Sequence, residues 1–196
     1  MLVALAAMTT SCATYRGAAI SADPTLAARE PGWIWVSGVP AIAQEGDKDC
    51  GAAALAAVLG YWGDPTSPER IASAVQRTPN EGASAGALTS YARARGFDAY
   101  VFHGAFADIE KELREGRPVI AGVAKPYGDR WLKHYEVVAG FHPGSQSVLT
   151  FDPARGWRKN DSRGFLTEWD PVGRIVIVVF PAAKRGDHGV QAKGAP

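Results

Sequence analysis

The sequence predicts an α+β fold in which N-terminal helices pack on a mainly antiparallel sheet drawn from the C-terminal half. Three observations carry that prediction. Residues 50–63, CGAAALAAVLGYWG, are rich in Ala and Leu and apolar almost all round, the pattern of a buried helix. Beyond residue 96 the runs FDAYVF, PVIAGVA, HYEVVAGF, SVLTFD and RIVIVVF are β-branched or aromatic and separated by Gly, Pro and Asp, the pattern of strands joined by turns. The chain has 196 residues, 46% hydrophobic and 21% charged, which suits one folded domain with enough core to need no staples.

Residues 1–12, MLVALAAMTTSC, are apolar and then small and polar. The apolar run is too short to span a bilayer but fits an export signal, and its end resembles a bacterial lipoprotein signal in which Cys12 becomes lipidated. The expected location is therefore exported, either periplasmic or anchored to a membrane through Cys12. Residues 13–31 read as a linker, 32–181 as the folded domain and 182–196 as a mobile tail. Residues 33–44, WIWVSGVPAIAQ, predict a short strand and an extended lead-in, broken by Gly38 and Pro40.

The first helix should start at Cys50, with Asp49 placed to cap it and Gly63 to end it. A second is expected at SPERIASAVQ, with Ser67 as cap and Pro68 in the first helical position. SAGALTSYARARG, capped by Ser84 and closed by Gly96, predicts a third. ADIEKELREG predicts a fourth, with Ile109 and Leu113 on one face and Gly116 at its end.

Charge and cysteine content narrow the chemistry. Twenty-one basic residues against twenty acidic ones leave a net charge of +1, and no dense basic run marks nucleic acid as a partner. With only Cys12 and Cys50, a disulfide framework is excluded. A lone cysteine in an Ala-rich helix is more often packing than chemistry. Cys50 has company, however. It lies at a helix N-terminus, where negative charge on the sulfur is favoured, and Gly51 beside it permits close approach. Gln44, six residues upstream, offers a side-chain N–H that could join the backbone N–H of Cys50 in an oxyanion hole. His134 begins one strand-like run, and Asp152 closes the next, before Pro153. If these two strands form a hairpin, His134 and Asp152 fall at the same end of it. The carboxylate can then hold one imidazole nitrogen while the other faces the thiol.

QEGDKDCGAAALAAVLGYWG resembles the nucleophile segment of the bacteriocin-processing, or double-glycine leader, peptidases within the papain-like superfamily. HYEVVAGF resembles that family's His segment, FDPARG its Asp-Pro segment, and GRPVIAGV the strand before the His. The resemblance covers roughly residues 39–180 and implies a papain-like fold and a cysteine peptidase. Cys50 would be the nucleophile, His134 the base, Asp152 its orienting partner and Gln44 a contributor to the oxyanion hole. The implied partner is a protein or peptide substrate, and no cofactor is implied. Relatives that mature bacteriocins are usually the N-terminal domain of a transporter with an ATPase, whereas this sequence has no membrane-spanning stretch and no GxxxxGK[ST] loop. Ala52 also stands where many relatives carry Pro.

His103, His142 and His188 read as surface or tail residues, and no CxxC, HExxH or close His/Asp cluster suggests a metal. Trp131 and Trp157 lie near the proposed catalytic positions, and KPYGDRWLK before His134 reads as a loop beside the site. The alternatives to a hydrolytic peptidase are a transpeptidase or amidase using the same triad, and a peptide-binding module on a peptidase-like fold.

Overall fold

The computed structural model describes residues 14–75 and 82–182; the expected signal at 1–12 and the tail beyond 182 lie outside them. Strands β3 (Phe97–His103), β4 (Val119–Tyr127), β5 (Arg130–His142), β6 (Ser147–Asp152) and β8 (Ile175–Pro181) form where the β-branched runs predict them. Together with β1 (Ile20–Ser21), β2 (Ile34–Trp35) and β7 (Gly156–Asp161), they make an antiparallel eight-stranded sheet of order β1-β7-β6-β5-β4-β8-β3, with β2 added beside β5. Chain neighbours β4, β5, β6 and β7 are also sheet neighbours, so short turns build the centre of the sheet.

Helix α2 (Cys50–Tyr61) packs on β5 and β4, and every residue from Cys50 to Leu59 is buried. Its alanines admit this close packing, and Gly63, at φ +87°, turns the chain away after it. Beside α2 lie α3 (Pro68–Val75) and α4 (Ala85–Ala94), the latter capped by Ser84 Oγ, which accepts from Ala87 N at 3.2 Å. Helices α5 (Phe106–Arg114) and α6 (Ser162–Trp169) also pack on β4, and Phe106, Phe141, Phe165 and Trp169 stack among themselves between them and the sheet. Side chains alternate along β5. Tyr135 reaches Gly51 of α2, while Glu136 reaches Lys125 and, through it, Glu168 of α6.

Two local expectations are corrected. Residues 14–31 do not behave as a linker: β1 pairs with β7, α1 (Leu26–Arg29) follows, and Ala27 is buried with Trp33 and Leu149. Asp49 does not cap α2 with its side chain; its carboxylate turns back to accept from Gly46 N at 2.9 Å. β7 and α6 have no counterpart in the sequence reading. GWRKND is a mostly polar strand, and SRGFLTEW spans only eight residues.

Candidate active site

Three segments distant in sequence meet at the open end of the β5–β6 hairpin. Cys50 begins α2, with a relative exposure of 7%. Gly51 sets how closely the helix approaches the sheet: a Cβ there would lie 3.0 Å from the Tyr135 ring and 3.2 Å from Leu88. His134 stands on β5, where the strand has run beyond its pairing with β6. Asp152 ends β6, and its Oδ1 lies 2.7 Å from His134 Nε2. The same carboxylate oxygen accepts from Ala154 N at 2.8 Å, so the turn after β6 fixes it. With Nε2 engaged by Asp152, Nδ1 is the ring atom left for the sulfur.

The electrostatics follow from this packing. Burial alone would lower the imidazole pKa, but hydrogen bonds to Asp152 and Cys50 and the charges of both raise it to about 10. Burial likewise opposes ionisation of Asp152, yet the bond to His134 holds its carboxyl at about 2. The result is a cationic ring clamped against a carboxylate at neutral pH. Burial, and then the charge on Cys50, push the Tyr135 hydroxyl up to about 12.

Gln44 lies on the same side. Its backbone N donates to Pro153 O at 3.0 Å, tying the lead-in segment to the residue after Asp152. Its side-chain Nε2 donates one N–H to Gly46 O at 2.9 Å, while its Oε1 is buried without a partner. That bond fixes the amide plane and leaves the second N–H of Nε2 for another acceptor. His103 and His142 are engaged elsewhere, His103 Nδ1 with Gly173 O and His142 Nε2 with Pro31 O at 3.0 Å. His188 lies outside the described residues.

The fold also builds a cluster that spacing along the chain does not reveal. Donor atoms of His134, Glu136 and Asp152 all lie within 4.8 Å of one another. A metal ion could be held at such spacing, but a cation, Lys125, already stands beside the cluster. Asp152 is bound to His134, and Glu136 Oε1 lies 2.5 Å from Lys125 Nζ.

Residues 38–184, well over half of the chain, match the Peptidase C39 family. The chain belongs to the Peptidase C39 family, a family of cysteine peptidases. Among solved structures, the peptidase domain of Streptococcus ComA, a bifunctional ABC transporter involved in quorum sensing, is 24% identical with a TM-score of 0.62, and the match covers 74% of this chain and all of that domain. A C39-like peptidase from Bacillus anthracis is 21% identical with a TM-score of 0.61, covering 78% and 99% of the two chains. These two likenesses concern the fold. A double-glycine-motif protease from an AMS/PCAT transporter, solved with its leader peptide, is 26% identical at a TM-score of 0.60, covering 76% and 95%. The Lactococcus lactis lactococcin-G-processing and transport ATP-binding protein LagD is 28% identical over 143 residues, which are 73% of this chain but only 19% of LagD.

The C39 match begins after an N-terminal strap that the sequence reading missed. Backbone bonds join Arg16 N to Pro126 O, Gly128 N to Thr14 O, and Ala22 N to Trp157 O. Tyr15 reaches inward and donates to Glu168, and a Cβ on Gly17 would collide with both groups. Behind the C39 hairpin, Lys125 Nζ lies 2.5 Å from Glu136 Oε1 and 2.5 Å from Glu168 Oε2, all three nearly inaccessible to solvent. The sequence carries half of this signal: Lys125 is the one charge in the apolar run of β4, whereas Glu136 shares β5 with Arg130, Lys133 and His134.

Proposed function

We propose that this protein is a cysteine peptidase that hydrolyses peptide bonds through an acyl-enzyme on Cys50. The observation that carries the reading is the His134–Asp152 hydrogen bond of 2.7 Å beside Cys50 at the start of a buried helix. Cys50 attacks the scissile carbonyl as the thiolate, and its own backbone N–H with the free N–H of Gln44 receives the oxyanion. His134 protonates the leaving amine and then takes a proton from the water that hydrolyses the thioester. Asp152 holds the ring through both steps. The substrate is an exported peptide carrying a leader segment, cut after a double glycine. The enzyme works outside the cytoplasm, either periplasmic or held at the membrane through Cys12. Among the described residues no helix is long and apolar enough to cross a membrane.

The test is incubation of the full chain with leader-type peptides that contain a double glycine, read by mass spectrometry beside Cys50→Ala. Cleavage after the glycines, lost in the variant, is the expected result. Folded protein that binds these peptides but leaves them uncut and forms no thioester would contradict it. Products capped by an added amine instead of water would assign the same acyl-enzyme to a transpeptidase.

A further inference from the structure

The His134–Asp152 pair does not stand alone. Glu136 follows His134 by two residues on β5, so alternation puts both side chains on one face of the sheet. The β5–β6 register, Val137 opposite Phe151, brings Glu136 beside Asp152 across the strands. Its carboxylate lies within 4.8 Å of ligand atoms on both His134 and Asp152, and the side chain is 1% exposed. Two carboxylates so close and so buried repel each other, and one would take up a proton unless a cation intervened. Lys125, reaching over from β4, is that cation. It is itself shared with Glu168 of α6, whose other oxygen accepts from Tyr15 of the strap.

We propose that Glu136 is a positioning residue for the site, a second buried carboxyl group beside the His134 imidazole and paired with Lys125. The proposal rests on the reading of His134 as the catalytic base. The charged groups around Glu136 are His134 on its own strand, Lys125 on β4, Asp152 on β6 and Glu168 on α6, with Cys50 beyond the ring. Burial first, and Asp152 with it, hold the Glu136 carboxyl pKa above its ordinary value, while Lys125 and the imidazolium oppose that rise. Glu136 and the imidazolium thus stabilise each other's charged forms. Tyr15 and Gly17 close the far end of the network, which makes the strap part of the supporting structure of the site.

The experiment is an NMR pH titration of the His134 ring in protein carrying Cys50→Ser, so that the imidazole titrates without the thiol. It is repeated with Glu136→Gln added, and again with Lys125→Met, Glu136→Gln and Glu168→Gln together. The triple change removes all three buried charges at similar side-chain volume, which keeps a folded sample available should Glu136→Gln alone fail to fold. The expected result is a fall in the ring's midpoint by about one pH unit in either variant. An unchanged or raised midpoint in a folded variant overturns the proposal and reduces Glu136 to a structural ion-pair partner. A separate failure, Cys50 reactivity that does not depend on His134, would defeat the catalytic reading while the titration still answered for Glu136.

Discussion

Asp152 Oδ1 and His134 Nε2 lie 2.7 Å apart at the end of a hairpin whose connecting turn is at its opposite end. Eighteen residues separate the two along the chain, and strand pairing, not a flexible loop, sets their distance. Because Asp152 also accepts from Ala154 N, the carboxylate is fixed before any substrate arrives. Asp152→Asn keeps the side-chain shape and removes the charge. Alkylation of Cys50 at pH 6 should slow by about tenfold or more, and peptide turnover by about a thousandfold. Parallel labelling and turnover assays check this, with circular dichroism confirming the fold.

Gln44→Ala should separate two steps that Asp152→Asn impairs together. Alkylation by iodoacetamide forms no oxyanion, so labelling should stay within about twofold of the parent. Acylation by a peptide needs the donor and should fall about 10²–10³-fold. Loss of both in equal measure would mean that Gln44 acts by holding the lead-in against Pro153, to which its backbone N is bonded.

Gly51→Ala should cost stability. The added Cβ would sit 3.0 Å from the Tyr135 ring and 3.2 Å from Leu88, both in packed surroundings. The expected loss is about 1–3 kcal/mol, read by denaturant unfolding. Labelling of Cys50 should slow as well, because the helix start must move away from β5.

Stability should depend on pH through the His134–Asp152 pair. His134 has its pKa raised from 6.5 to about 10, so its contribution is complete below 6.5 and is lost as pH rises through 10. Asp152 has its pKa lowered from 3.8 to about 2, so its contribution is present above 3.8 and is lost as pH falls through 2. The stability difference between the parent and Asp152→Asn should therefore be greatest between about pH 4 and 6.5 and shrink toward both ends. Urea unfolding across that range measures it.

The parts of this molecule that were legible in sequence are those whose signal is local. Helix α2 reads from its alanines, β4, β5, β6 and β8 from β-branched runs, and the Cys50, His134 and Asp152 segments from their order and spacing. The strap was illegible because residues 14–31 carry little apolar periodicity of their own. They are held by long-range partners: β7 through backbone pairing, Glu168 through Tyr15, and Arg158, which donates to Ala19 O and to Ser21 Oγ. Glu136 was passed over for a related reason. In HYEVVAGF it reads as one polar position in a strand, and only the placement of α6 over that face turns it into a buried charge. Asp49 misled because an Asp before a helix has two backbone targets, and here Gly46 N captures it.

The central claim is that His134 keeps Cys50 ready as a nucleophile. The most direct measurement is the rate of iodoacetamide labelling at Cys50 from pH 5 to 9, in the parent and in His134→Ala, with mass spectrometry assigning the site. Rapid labelling well below the ordinary thiol value of about 8.5, slowed in the variant, is the predicted result. Slow labelling in both, rising only with an ordinary thiol titration, would contradict a preformed catalytic pair.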